Sequence, residues 1–212
     1  MTDVASWPKQ PPPDEPPAPP PFEPPRPHTV RLVDHDDLKR SRLTVLARWF
    51  LVVPHLIWFY LYAVVAFFVG IANWVVTLIK GRPPQRLHRW LVRFLRYHVY
   101  VFSYLYVLAN PYPPFHGDQR SYRIDLQVEG PDDQRRLVTA FRLVLAIPAF
   151  VLAWVLGQVV QIIGFLNWLI AIFIGRVPRG MEQLGLYCLR YQTQTYAYLL
   201  VVTDRYPSTA GN

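Results

Sequence analysis

Residues 49–79, WFLVVPHLIWFYLYAVVAFFVGIANWVVTLI, contain no Asp, Glu, Lys or Arg. A helix that crosses a bilayer needs about 20 mostly apolar residues. Core helices of soluble domains seldom stay apolar on every face for this long. Residues 143–175, LVLAIPAFVLAWVLGQVVQIIGFLNWLIAIFIG, repeat the pattern. Both stretches read as membrane-spanning helices. A third charge-free stretch, 97–117, comes after an arginine-rich segment and reads as another span. A fourth, 183–203, is apolar only in part, because it holds Arg190 and the run Gln192-Thr193-Gln194-Thr195.

These stretches belong to an internal duplication. A shift of 94 residues lays 42–113 on 136–207 without a gap, with 20 identities in 72 pairs. Shared apolar bias would match leucines and valines. It would not also match Asn73-Trp74 with Asn167-Trp168, Gly81-Arg82 with Gly175-Arg176, Arg96-Tyr97 with Arg190-Tyr191, and Tyr112-Pro113 with Tyr206-Pro207. Each copy reads as approach helix, span, Gly-Arg-x-Pro turn, second span and Tyr-Pro exit. Pro54 and Pro148 remove a backbone donor and so mark expected breaks between approach helix and span. Residues 28–32 and 122–126 alternate in polarity as short strands do, and are expected to pair as a small sheet. Two spans per copy give both copies the same orientation. If the second helix of each copy lies on the surface instead, the copies are inverted.

Composition agrees. Of 212 residues, 52% are apolar and 17% charged, with a net charge of +8 and a single cysteine, Cys188. One cysteine permits no internal disulfide and no Cys-based zinc site. Twelve of the 22 prolines fall within residues 1–27, a segment too poor in apolar residues to bury a core and expected to be disordered. Within it Pro21-Phe22-Glu23-Pro24-Pro25-Arg26 has a spacing that SH3-type grooves read, although a solvated tether is the plainer reading. The start has neither a basic n-region nor an apolar h-region, and the N-terminus is expected in the cytoplasm.

The run from Arg42 to Arg48, Pro54-His55, Asn73-Trp74, Gly81-Arg82-Pro83-Pro84, Arg96-Tyr97 and Ala109-Asn110-Pro111-Tyr112-Pro113-Pro114-Phe115 resembles the bacterial membrane-protein family of unknown function numbered 4389. A second copy resembles it from Phe141-Arg142 through Pro148 and Gly175-Arg176-Val177-Pro178 to Tyr206-Pro207, with Ser208-Thr209 in place of Pro114-Phe115. The resemblance covers residues 28–209. It implies a plasma-membrane protein and no assigned activity.

The fold expected is therefore an all-α integral membrane protein with about four spans. A Pro-rich tail at 1–27, a first unit at 28–115, a linker at 116–121 and a second unit at 122–209 make up the chain. Arg82, Arg86, Arg89, Arg93 and Arg96 are spaced 4, 3, 4 and 3, and the last four fall within an arc of about 80° on a helix. With no carboxylate inside 43–109, lipid phosphates are their expected counter-ions, since guanidinium matches phosphate in a bidentate fork. Arg176 and Arg190 are what the second copy keeps of this set. A face of arginines snorkelling to the interface is the plainer alternative. Arg48 and Arg142 are expected to anchor at headgroups. Asn73, Asn167 and Gln161 are candidates for polar contacts between helices. His28, His35, His55, His88, His98 and His116 show no ligand spacing. No cofactor, metal, nucleic acid or catalytic pair is expected. The role read from this is a non-enzymatic scaffold or regulator of an envelope complex. A transporter of small or lipid-like solutes and a lipid-phosphate-binding protein are the alternatives.

Overall fold

The computed structural model describes residues 30–33, 42–119, 121–128, 130–131 and 133–209. The Pro-rich tail, its SH3-type spacing, His28 and His35 lie outside them. The order is β1 (Val30–Val33), α1 (Arg42–Lys80), α2 (Gln85–Leu105), β2 (Asp125–Val128), α3 (Arg136–Ala140), α4 (Arg142–Ile174) and α5 (Arg179–Leu199). The duplication appears as two helical hairpins, α1–α2 and α4–α5.

A seven-residue stripe runs along α1, and its image runs from α3 into α4. Val45, Val52, Phe59, Ala66 and Asn73 are buried, and so are their counterparts Thr139, Ala146, Ala153, Val160 and Asn167. A seven-residue repeat keeps one seam of a helix facing its neighbours. The remaining surface of α1 and α4 is apolar and bare: Phe50, Phe67, Phe68, Leu143, Ile162 and Phe173 are among its exposed side chains. Among the described residues these two helices are long and apolar enough to cross a membrane. The shorter helices α2 and α5 are mixed in polarity and largely buried.

Three expectations about the path of the chain need correction. First, neither proline breaks its helix. Pro54 lies inside α1 and Pro148 inside α4, both of which continue unbroken. The interruption in the second copy falls at Phe141 instead. Second, the charge-free stretch 97–117 is not one helix. α2 ends at Leu105, and the chain then leaves it in a long extended connection. Third, the long helices are antiparallel. Trp74, late in α1, meets Thr139 before α4, while Trp168, late in α4, meets Val45 at the start of α1.

The connection explains that inversion. It runs back along α2 from its C-terminal to its N-terminal end, so the second copy starts where α1 stopped. Gly117 passes so close to α2 that a Cβ would overlap the carbonyl of Arg93. Tyr100 donates to the Asp118 carbonyl, and the Gln134 amide donates to the carbonyl of Gly81 at 2.7 Å. On the way β2 pairs antiparallel with β1, with Leu32 opposite Leu126. A small sheet is present as expected, but its strands begin two and three residues later than the 28–32 and 122–126 read from the sequence. The turns after α1 and α4 use Gly81 and Gly175 at φ of 79° and 78°, the left-handed conformation that ends helices and that glycine adopts without a Cβ clash.

Candidate functional site

The two copies interlock through reciprocal bonds. Asn73 of α1 donates to the carbonyls of Leu200 (3.0 Å) and Val201 (3.2 Å), at the end of α5. Asn167 of α4 donates to the carbonyl of Tyr106 (3.4 Å), at the end of α2. The indole of Trp74 donates to Thr139 O at 2.8 Å and that of Trp168 to Val45 O at 2.9 Å. Each contact is the 94-residue image of the other. Gly70 and Gly164 let the chains approach: a Cβ would meet Leu200 at 2.8 Å and Tyr106 at 2.8 Å. Gln161 takes no part. It is exposed on α4, while Gly157 and Gly164 of the same helix are buried.

A second repeated device closes α2 and α5. The last carbonyls of a helix lack intrahelical donors. Arg48 Nη1 donates to the carbonyls of Tyr104 (2.6 Å) and Ala109 (3.0 Å). Arg142 Nη1 donates to those of Tyr198 and Thr203, each at 2.8 Å. Each guanidinium also covers the ring of its tyrosine, at 4.3 Å and 4.4 Å from the centroid. Both arginines are 1% exposed. The expectation that they anchor at headgroups is thus corrected: they clamp helix ends. Val107 and Val201, just beyond those ends, both sit at φ 60°, a conformation rare for a β-branched residue.

Of the arginine face, Arg82, Arg86, Arg89 and Arg93 are exposed, as is Arg176. Arg96 turns inward, and the supposed lack of local carboxylates is corrected here. Arg96 Nε lies 2.9 Å from Asp125 Oδ1, and the guanidinium also donates to the carbonyls of Leu126 and Gly117. Arg93 Nε lies 3.7 Å from Asp118, with both side chains more than half exposed. Both carboxylates come from the connection, outside the stretch in which none occurs. Arg89, Arg93 and Arg96 line one groove of about 480 Å³ between α2 and the connection. Arg82 lines a different one, and Arg190 lies over Tyr187 in the second copy.

The chain belongs to the family described as Domain of unknown function (DUF4389). Its family model matches twice, at residues 42–116 and 136–210. Comparison with curated proteins and with solved structures returned no match. The two family copies coincide with the two helical hairpins, so the reciprocal bonds join one copy of DUF4389 to the other.

The histidines divide. His55 exchanges a 2.9 Å hydrogen bond with the Tyr97 hydroxyl and stacks on Phe115, and His88 Nε2 lies 3.1 Å from the Val202 carbonyl. His98 is packed among Phe59, Phe102 and Tyr196. His116 Nε2 lies 3.7 Å from Asp118 on the surface. Among the described residues no three His, Cys, Asp or Glu side chains converge as metal ligands. Cys188 is buried, and desolvation holds its thiol above the ordinary range. Sequence reasoning missed the arginine clamps and the aspartates of the connection. The clamps had a signal: Arg48, Tyr104 and their counterparts are identical in both copies.

Proposed function

We propose that the protein is a non-enzymatic membrane scaffold of the cell envelope, held in lipid by the outer faces of α1 and α4. On this reading α2, α5 and the connection form its aqueous side. The observation that carries it is the division of the surface. Large apolar side chains are bare along α1 and α4, while Asp118, Gln119, Arg123 and Asp133 are exposed on the connection that covers α2. Irregular backbone and open strand edges do not face hydrocarbon, because their polar groups would go unsatisfied. A four-span, multi-pass arrangement would put the connection there. The helix lengths support the same reading: 39 residues make α1 about 58 Å long, against a hydrocarbon core of about 30 Å.

The interlocked seam favours a scaffold over a conduit. Asn73 and Asn167 are 0% exposed and are bonded to backbone carbonyls, so neither lines a watery path. The exposed Arg86, Arg89 and Arg93 are placed to meet anionic headgroups or an acidic partner. The test is single-cysteine accessibility at Arg82 and Arg176 in sealed vesicles. The turns holding them lie at opposite ends of the antiparallel helices. Labelling of both from the same side is expected. Labelling from opposite sides would overturn the one-sided embedding. Co-purification from native membranes should return a stoichiometric protein partner. An isolated protein that moves solute across liposomes would overturn the scaffold role.

A further inference from the structure

The two copies differ at the floor of one cleft. Between α1, α2 and α5, and reaching Leu143 of α4, lies an open cavity of about 680 Å³. Its walls are apolar, with Ala63, Ala66, Phe94 and Phe102 among them, and no Asp, Glu, Lys or Arg lines it. Its rim is formed by Phe67 and Ile71, which are exposed on α1. At the floor stands His98, 5% exposed, with its ring 5.2 Å from that of Tyr196. His98 Nδ1 has no hydrogen-bond partner. Native proteins leave few such buried groups unpaired.

The second copy resolves the same position differently. Gln192 stands 94 residues after His98 and donates to the carbonyl of Ala153 at 3.3 Å. It lies against Gly157, where a Cβ would meet its Nε2 at 2.6 Å. The first copy has Ala63 in place of Gly157. The polar group of the second copy is thus bonded within the fold, while His98 of the first lines the cleft with its Nδ1 buried and unpaired.

We propose that this cleft binds a single-chain neutral amphiphile drawn from the bilayer, whose terminal hydroxyl hydrogen-bonds to His98. A volume of this size lies within the range of about 300–1,000 Å³ typical of ligand sites. Apolar walls suit an alkyl or isoprenoid chain. A phosphate or ammonium head would be a buried charge with no counter-charge in the lining, which is strongly unfavourable. The imidazole at the floor, beside Tyr196 and Trp74 of the same lining, can meet a single hydroxyl, and burial keeps it neutral, so it can donate or accept. Entry past Phe67 and Ile71 rests on the reading that the outer face of α1 lies in lipid.

The experiment uses the full chain in detergent with a diazirine-bearing hexadecanol as photoprobe. Cross-links are expected on α1 and α2 at the cleft, with unlabelled hexadecanol competing and phosphatidylglycerol failing to compete. His98→Phe should weaken capture about threefold to tenfold, the worth of one hydrogen bond. Ala63→Phe should abolish it by filling the space. Tryptophan fluorescence on heating checks that both variants fold. Cross-links scattered over the outer faces of α1 and α4 overturn the proposal, as does capture that neither variant changes. Competition by phosphatidylglycerol as strong as by hexadecanol overturns the neutral head. The cysteine labelling at Arg82 and Arg176 does not involve His98, so one-sided embedding and ligand binding fail separately.

Discussion

Asn73 donates its amide to the carbonyl of Leu200, 3.0 Å away and 127 residues later in the chain. The bond joins the end of α1 in one copy to the end of α5 in the other. Its image, Asn167 to Tyr106, does the same at the opposite end of the molecule. Replacement of Asn73 by Leu leaves the Leu200 and Val201 carbonyls without this donor and should cost about 1–3 kcal/mol of stability. Asn167→Leu should cost less, because it makes one longer bond. Sites this far apart with no shared partner add to within about 0.5 kcal/mol. Denaturant unfolding in detergent of both single variants and the double variant measures all three values. An Asn167→Leu cost above that of Asn73→Leu would contradict the geometry.

The arginine clamps should not tolerate lysine. Arg48 reaches two carbonyls from one nitrogen and lays its plane over Tyr104. An ammonium is a compact point charge with neither the planar fork nor the flat face. Arg48→Lys and Arg142→Lys should each lower the unfolding midpoint clearly, and Arg48→Met should cost about as much or more by leaving the helix-end carbonyls bare. Arg86→Lys, at an exposed site, serves as the control and should leave the midpoint unchanged. Equal midpoints for Arg48→Lys and Arg86→Lys would show that the clamp does not hold the helix end.

The duplication, the two long apolar helices, the glycine turns and the pairing of two short strands were legible in the sequence, because identity at a fixed shift and charge-free length are linear properties. The reversal of the second copy was not. It depends on where the connection goes, and nothing in its composition says that it lies down along α2. The prolines misled for a related reason. Proline removes one donor, but a helix packed along a seven-residue seam keeps its other bonds and continues through Pro54 and Pro148. The inward turn of Arg96 was hidden because its partner, Asp125, lies outside the helix on which the arginine face was read.

The exposed part of that face predicts a lipid effect separable from folding. Arg86→Gln, Arg89→Gln and Arg93→Gln together should reduce the anionic lipid retained through purification while leaving the unfolding midpoint unchanged. Asp118→Asn should raise retention, because it frees Arg93 from the carboxylate 3.7 Å away. Arg96→Gln belongs to a different class: it removes the guanidinium that pairs with the buried Asp125 carboxylate and should destabilise the fold. Phospholipid analysis of the purified proteins reads the first two effects. Retention unchanged by the triple variant would remove anionic lipid as the partner of this face.

His98 should make the protein sensitive to acid. Desolvation among Phe59, Phe102 and Tyr196 pushes its pKa down to about 3, from 6.5. The unfolded chain therefore binds this proton more readily than the folded one. The contribution to stability is fully present above pH 6.5 and is lost as pH falls from there toward 3. Carboxylates titrate ordinarily near pH 4, so the window from 6.5 to 4.5 reports the buried histidines, and His55, which burial lowers to about 4, contributes to the drop beside His98. The urea midpoint of the wild-type chain should drop across that window, and His98→Phe should lessen the drop. A drop of the same size in His98→Phe would assign the acid sensitivity to other groups and would contradict a dry, neutral imidazole at the floor of the cleft.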